Sequence, residues 1–176
     1  MLIRRDETVI AVRDFGGDGP PVVFLHGLAG HAGEWAGTAN ALVPRFRVVA
    51  FDARGHGESE PRPSDVSRAA HVADTVAVIE ALDLAPVVLV GQSLGGVTAF
   101  LTAAAHPELV RALVVAEAGP GAPDDPAGEA RAVVEQLPAW AAAKPDWPSF
   151  ELDIMERTLC EAFAHSYDEE WARVEC

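Results

Sequence analysis

The sequence predicts an α/β protein built on a mostly parallel sheet with helices on both faces. Three observations carry this expectation. Short apolar runs of strand length alternate with longer segments whose apolar residues recur at helical spacing. The short runs are rich in Val and Leu with little polar alternation, as in strands buried on both faces. Gly and Pro cluster between the two kinds of segment, where they act as breakers. At 176 residues the chain suits one folding unit large enough to bury a core. Hydrophobic residues make up 49% but aromatics only 7%, so that core must be built mainly from Ala, Val and Leu.

Taken in order, Leu2 to Arg5 and Thr8 to Asp14 read as strands, followed by a turn at Gly16-Gly17-Asp18-Gly19-Pro20 and a strand at Val22 to Leu25. The arrangement expected is a hairpin feeding a buried strand. Gly33 to Val43 reads as a helix ended by Pro44, and Phe46 to Phe51 as the next strand. Ser67 to Leu82 carries Ala70, Val72, Ala73, Val76, Ala77, Ile79 and Leu82 at helical spacing, with Asp74 and Glu80 among its polar positions. That helix crosses over to a strand at Val87 to Val90. A second helix runs from Leu94 to His106 and stops at Pro107, and Ala112 to Ala116 follows as another buried strand. Such alternation implies parallel pairing with right-handed crossovers. From Gly119 the character changes: Pro120, Gly121, Pro123, Asp124, Asp125 and Pro126 make a turn-rich linker, and the remainder reads as short helical patterns among Pro138, Trp140, Pro145, Trp147, Pro148 and Trp171.

Bulk chemistry narrows the partners. Thirteen basic against 27 acidic residues gives a net charge of −14, which repels phosphate backbones and anionic lipid, so neither nucleic acid nor a membrane surface is expected as a partner. Cys160 and Cys176 lack metal-like spacing, and no cofactor or metal is expected. The N-terminal residues show no apolar stretch of signal-peptide length, and no run approaches membrane-spanning length, so a cytoplasmic protein is expected.

The chemistry-bearing segment is Gly91-Gln92-Ser93-Leu94-Gly95, a glycine-flanked serine between a strand and a helix. A serine on so sharp a turn takes a strained backbone conformation, and side chains two positions to either side would collide with it. The turn exposes the hydroxyl at a helix N-terminus, where amide N–H groups stabilise negative charge. Ser93 could then attack an acyl carbonyl, with the Leu94 N–H receiving the oxyanion. The alternative is a tight βα loop of some other doubly wound protein.

Two further segments bear on that choice: His26-Gly27-Leu28-Ala29-Gly30 after the strand Val22 to Leu25, and Asp52-Ala53-Arg54-Gly55-His56-Gly57-Glu58-Ser59 after Phe46 to Phe51. In this order and at these spacings, the three motifs resemble the α/β-hydrolase fold superfamily. The resemblance implies that the Leu28 N–H completes the oxyanion hole, that its side chain helps to line the substrate pocket, and that His26 and His56 are structural rather than catalytic. His106 looks like a helix-terminal residue, and His31, His71 and His165 look like surface or cap residues. By analogy, residues 1–119 form the hydrolase core, 120–170 a helical cap or lid segment, and 171–176 the approach to a further core strand. Relatives supply the general base, and usually the acid, downstream of the cap. The resemblance thus covers the first part of the family fold and the nucleophile, and leaves the catalytic His and C-terminal strands unaccounted for. Some relatives place the triad acid after the strand that ends at Ala116, which makes Glu117 a candidate acid; the alternative is a loop carboxylate near the cap hinge.

The function expected from the resemblance is a serine hydrolase acting on a small ester, lactone, thioester or related acyl substrate through an acyl-enzyme on Ser93. Haloalkane dehalogenation does not fit, because those relatives carry aspartate at the elbow. Carbon–carbon bond hydrolysis and cofactor-free perhydrolysis use the same serine and stay open. Two other readings stand beside it. One is a truncated, split or degenerate member with little activity alone, whose exposed sheet edge pairs with a chain supplying the missing strands. The other is a small-molecule-binding module of the same fold that does not cleave its ligand.

Overall fold

A computed structural model of the chain describes residues 1–118, 126–143, 153–155 and 157–159. Six strands make one sheet in the order β1-β2-β4-β3-β5-β6. β1 (Leu2–Arg5) and β2 (Thr8–Gly16) form an antiparallel hairpin, and β2 pairs antiparallel with β4 (Arg47–Phe51). β3 (Pro21–Leu25) lies between β4 and β5 (Val87–Gln92), parallel to both, and β6 (Val110–Ala116) pairs parallel with β5. The chain therefore goes from β3 to one neighbour, β4, and then returns to the other side as β5. Such a reversal opens a crevice at the carboxyl ends of the parallel strands, the usual ligand position in an open α/β sheet.

Alternate side chains of the central strands feed two cores. Val23, Leu25, Val49, Phe51, Val87 and Leu89 face Val78 and Ile79 of α2 (Arg68–Ala81) and Ala99 of α3 (Leu94–Ala105). Val22, Phe24, Val48 and Ala50 face Ala39 of α1 (Ala36–Leu42), with Trp35 of the preceding 3-10 turn tilted against Phe24 at 4.7 Å between ring centroids. Helices thus cover both faces, as the near-continuous apolar strands require.

The expected hairpin, β1 and β2, does lead into β3, and it meets the sheet through β4. Several expectations are corrected by the structure. The helix expected over Gly33 to Val43 divides into a 3-10 turn, Ala32–Trp35, and α1. His31 caps that turn by accepting from the Gly33 N–H at 3.1 Å. The inward stripe of α2 is Ala70, His71, Asp74, Thr75, Val78 and Ile79, so Asp74 and His71 are buried where the sequence reading put polar or surface positions. β6 is not a buried strand among the described residues: Val114 and Val115, which point to opposite faces, are 50% and 38% exposed. Within 120–170, the short helical patterns include one long helix, α4 (Pro126–Ala143), which carries Pro138 in its interior. The linker at 119–125, His165, Cys160, Cys176 and 171–176 lie outside the described residues. Among the described residues, no helix is long and apolar enough to cross a membrane.

Candidate active site

All three sequence motifs sit at the carboxyl ends of parallel strands. Ser93 stands between β5 and α3 with φ 51° and ψ −118°, a conformation L-residues rarely adopt. Two main-chain bonds hold it there: its N–H donates to Ala116 O at 2.9 Å, and its carbonyl accepts from Val97 N at 3.0 Å. The residue is half-buried, its side chain makes no capping bond to α3, and among the described residues the hydroxyl has no hydrogen-bond partner. The flanking glycines answer to backbone contact. A carbon added at Gly91 would strike the main chain of Gly95 and Gly96, and one at Gly95 would fall 2.5 Å from His26 O. What crowds the elbow is thus main chain on either side of the turn, not the serine side chain.

The loop after β3 lies directly against this turn: a carbon on Gly27 would sit 3.4 Å from Ser93 Cβ. Among the described residues, nothing accepts a hydrogen bond from the amides of Leu28 or Leu94. Two unused N–H groups beside a free hydroxyl form an arrangement that can receive a developing oxyanion. The side chains of Leu28 and Leu94 join Leu137 and Val133 of α4, Met155 and Leu159 in one apolar cluster, which places the described part of 120–170 over this loop. The Leu28 side chain therefore packs under that cover.

The histidines of the motifs are committed to the main chain. His26 Nε2 accepts from Ala53 N at 2.9 Å, which leaves Nδ1–H to donate to Gly27 O at 2.7 Å and fixes the neutral tautomer. Burial, reinforced by neighbouring His56, pushes His26 well below the usual histidine range. His56 turns both nitrogens to carbonyls, Leu28 O at 2.6 Å and Arg54 O at 3.0 Å. Burial outweighs the pull of these carbonyls and of Asp52, and the ring is held below its ordinary value. By gripping Leu28 O, His56 fixes the peptide that follows the Leu28 amide. His71 is 5% exposed, and burial, then His56 and Arg54, push it down to about 3. None of these three rings is placed to serve as base for Ser93.

The rest of the turn after β4 is equally tied. Asp52 accepts from Ala32 N at 2.6 Å and Glu58 N at 2.8 Å, joining the loops after β3 and β4. Ser59 Oγ donates to Asp52 O and accepts from Ala11 N at 2.8 Å. Arg54 grips Asp74 of α2 with two bonds, Nε to Oδ2 at 2.6 Å and Nη2 to Oδ1 at 2.7 Å, while Arg5 Nε reaches Oδ1 at 3.1 Å. Sequence reading did not find Asp74 because a lone carboxylate in an amphipathic helix reads as solvent-facing. The signal was the spacing of His71, Asp74, Thr75 and Val78, which is that of one helix face.

Glu117 follows β6 with φ 54° and is exposed. Its Oε2 accepts from Gln92 Nε2 at 2.9 Å, next to Ser93 in sequence. The structure thus brings Ser93, Leu94, Leu28 and Glu117 to one end of the sheet, and no described histidine hydrogen-bonds to Glu117.

Comparison with known proteins shows the family of the chain. The alpha/beta hydrolase fold family matches residues 20–156. The sn-1-specific diacylglycerol lipase ABHD11 of Mus musculus is 44% identical over 103 residues, covering 57% of this chain and 33% of that protein. The pimeloyl-[acyl-carrier protein] methyl ester esterase of Chromobacterium violaceum is 40% identical over 124 residues, covering 69% of this chain and 47% of that protein. The chain spans a third to a half of the length of these curated relatives. Among solved structures, E-2-(acetamidomethylene)succinate hydrolase superposes with a TM-score of 0.75 over 96% of this chain and 78% of its own, at 22% identity, a likeness of fold.

Proposed function

The chain belongs to the α/β-hydrolase fold family, and from that premise we propose that it is a serine hydrolase acting on a small ester, lactone or related acyl substrate through Ser93. The observation that carries this is the strained Ser93, its hydroxyl uncommitted beside the unused amides of Leu28 and Leu94. Ser93 Oγ attacks the acyl carbonyl carbon and gives its proton to a base. The carbonyl π electrons move to oxygen, and the two amides hold the resulting charge. Collapse expels the alcohol, which takes the proton back, and leaves an acyl-enzyme that water hydrolyses. The base comes from outside the described residues, because burial and main-chain bonds occupy the described rings near the elbow. Glu117 is the candidate acid, and Gln92 holds it at the elbow until a histidine joins it. The lipase and esterase names of the curated relatives support an ester over other bonds. The apolar cover of Leu137, Met155 and Leu159 supports an apolar acyl group.

A fluorophosphonate probe tests the proposal. Slow labelling that Ser93→Ala abolishes is expected, since an oxyanion hole retains part of the rate without a full triad. Absence of labelling, or labelling that survives the substitution, overturns it.

The exposed faces of β6 favour a second reading, in which full activity needs a further polypeptide segment paired with that strand. Labelling accelerated by an added polypeptide that carries a strand and a histidine loop supports it; labelling unchanged by any such addition contradicts it.

A further inference from the structure

Behind the elbow lies a small cavity that does not include the Ser93 side chain. It sits where the ends of β3 and β4 meet α2 and α3; Leu94 is on its wall, while Ser93 and Leu28 are not. The polar residues that line it are His26, His71, Thr75 and Thr98, together with Gly95 of the first turn of α3. The cavity is small, about 10 Å³, the least that holds a single water.

One residue on that wall carries an unmet group: among the described residues, His71 Nε2 is buried without a hydrogen-bond partner, which is unfavourable for a buried polar atom. His26 has no capacity left, since both its nitrogens are bonded to main chain. The hydroxyls of Thr75 and Thr98 donate to His71 O at 2.9 Å and Leu94 O at 3.0 Å, which leaves their lone pairs to accept. The Gly95 amide is a first-turn helix donor with no intrahelical acceptor. One ring nitrogen, two acceptors and one amide match the three or so bonds a buried water makes. A purely apolar void of this size would stay dry; the unmet nitrogen is what distinguishes this one.

We propose that this cavity is a binding site for a single internal water that bridges Nε2 of His71 to the first turn of α3. The water joins α2 to the helix that carries the Leu94 amide. The proposal does not depend on Ser93 being a nucleophile.

Crystal structures of the chain, of His71→Phe and of Ser93→Ala, at a resolution that orders individual waters, test it. Wild type and Ser93→Ala are expected to show one water about 2.7–3.2 Å from His71 Nε2, and His71→Phe to show none. An empty cavity, a direct protein partner for Nε2, or a water unmoved in His71→Phe overturns the proposal. Should that variant fail to fold, a rotating-frame NOE between a His71 ring proton and a long-lived water in the wild-type chain decides; its absence also overturns the proposal.

Discussion

Ser93 holds a backbone conformation that costs about 1–3 kcal/mol in an L-residue. Ser93→Gly is therefore expected to raise the urea midpoint, because this relief exceeds the roughly 0.5–1 kcal/mol that a glycine loses in entropy. Ser93→Ala keeps the Cβ and its strain and is expected to stay near wild type; equal midpoints for the two variants would remove strain from the account. Burial governs the histidines at this scale too. His26, His56 and His71 are all lowered, His71 to about 3 from an ordinary 6.5. A group whose folded value is depressed is bound by more protons in the unfolded chain, so its contribution is present above pH 6.5 and is lost as pH falls toward its folded value. Stability is expected to fall from about pH 6.5 downward, each such histidine adding at most about 1.4 kcal/mol per pH unit. Denaturation at pH 7, 6, 5 and 4 should show a shallower slope in His71→Phe, and an unchanged slope would place that ring in water.

At the scale of elements, α2 is where polar residues carry structure. Arg54 and Asp74 are 3% and 1% exposed and doubly bonded, and Arg5 from β1 shares the same carboxylate. Breaking one partner leaves a buried charge, so Asp74→Asn is expected to cost about 3–5 kcal/mol in chemical denaturation. Replacing both partners with apolar residues should cost less than the single change, and a harmless Asp74→Asn would refute the pairing. The same helix shows what the sequence hid. Its existence and limits were legible from periodicity and from Ser67, which caps it by accepting from Ala70 N at 3.2 Å. Its inward face was not, because His71, Asp74 and Thr75 owe their burial to partners on other elements. Pro138 misled in the other direction: it reads as a breaker, yet it sits on an exposed side of α4. β6 looked buried because Val114 and Val115 are apolar, and composition alone does not say whether a strand has a neighbour on each side.

For the whole molecule, strand order decides where chemistry can happen. The reversal at β3 brings the loops after β3, β4 and β5 to one end, where the Leu28 and Leu94 amides, the Asp52 to Ser59 brace and Ser93 lie together. This much was legible from glycine placement and strand-helix alternation, since those motifs are local. A base was not legible, because no local pattern in the sequence assigns a histidine to Ser93. The packing of Leu137, Met155 and Leu159 on Leu28 and Leu94 was not legible, because such contacts are long-range and no local pattern specifies them. The central claim is that an oxyanion formed on Ser93 lies between the amides of Leu28 and Leu94, and the structure of the chain after reaction with a fluorophosphonate tests it most directly. A phosphonyl oxygen about 2.7–3.1 Å from both amides, with phosphorus on Ser93 Oγ, is the expected result; phosphorus on any other residue, or an oxygen turned away from both amides, would contradict it.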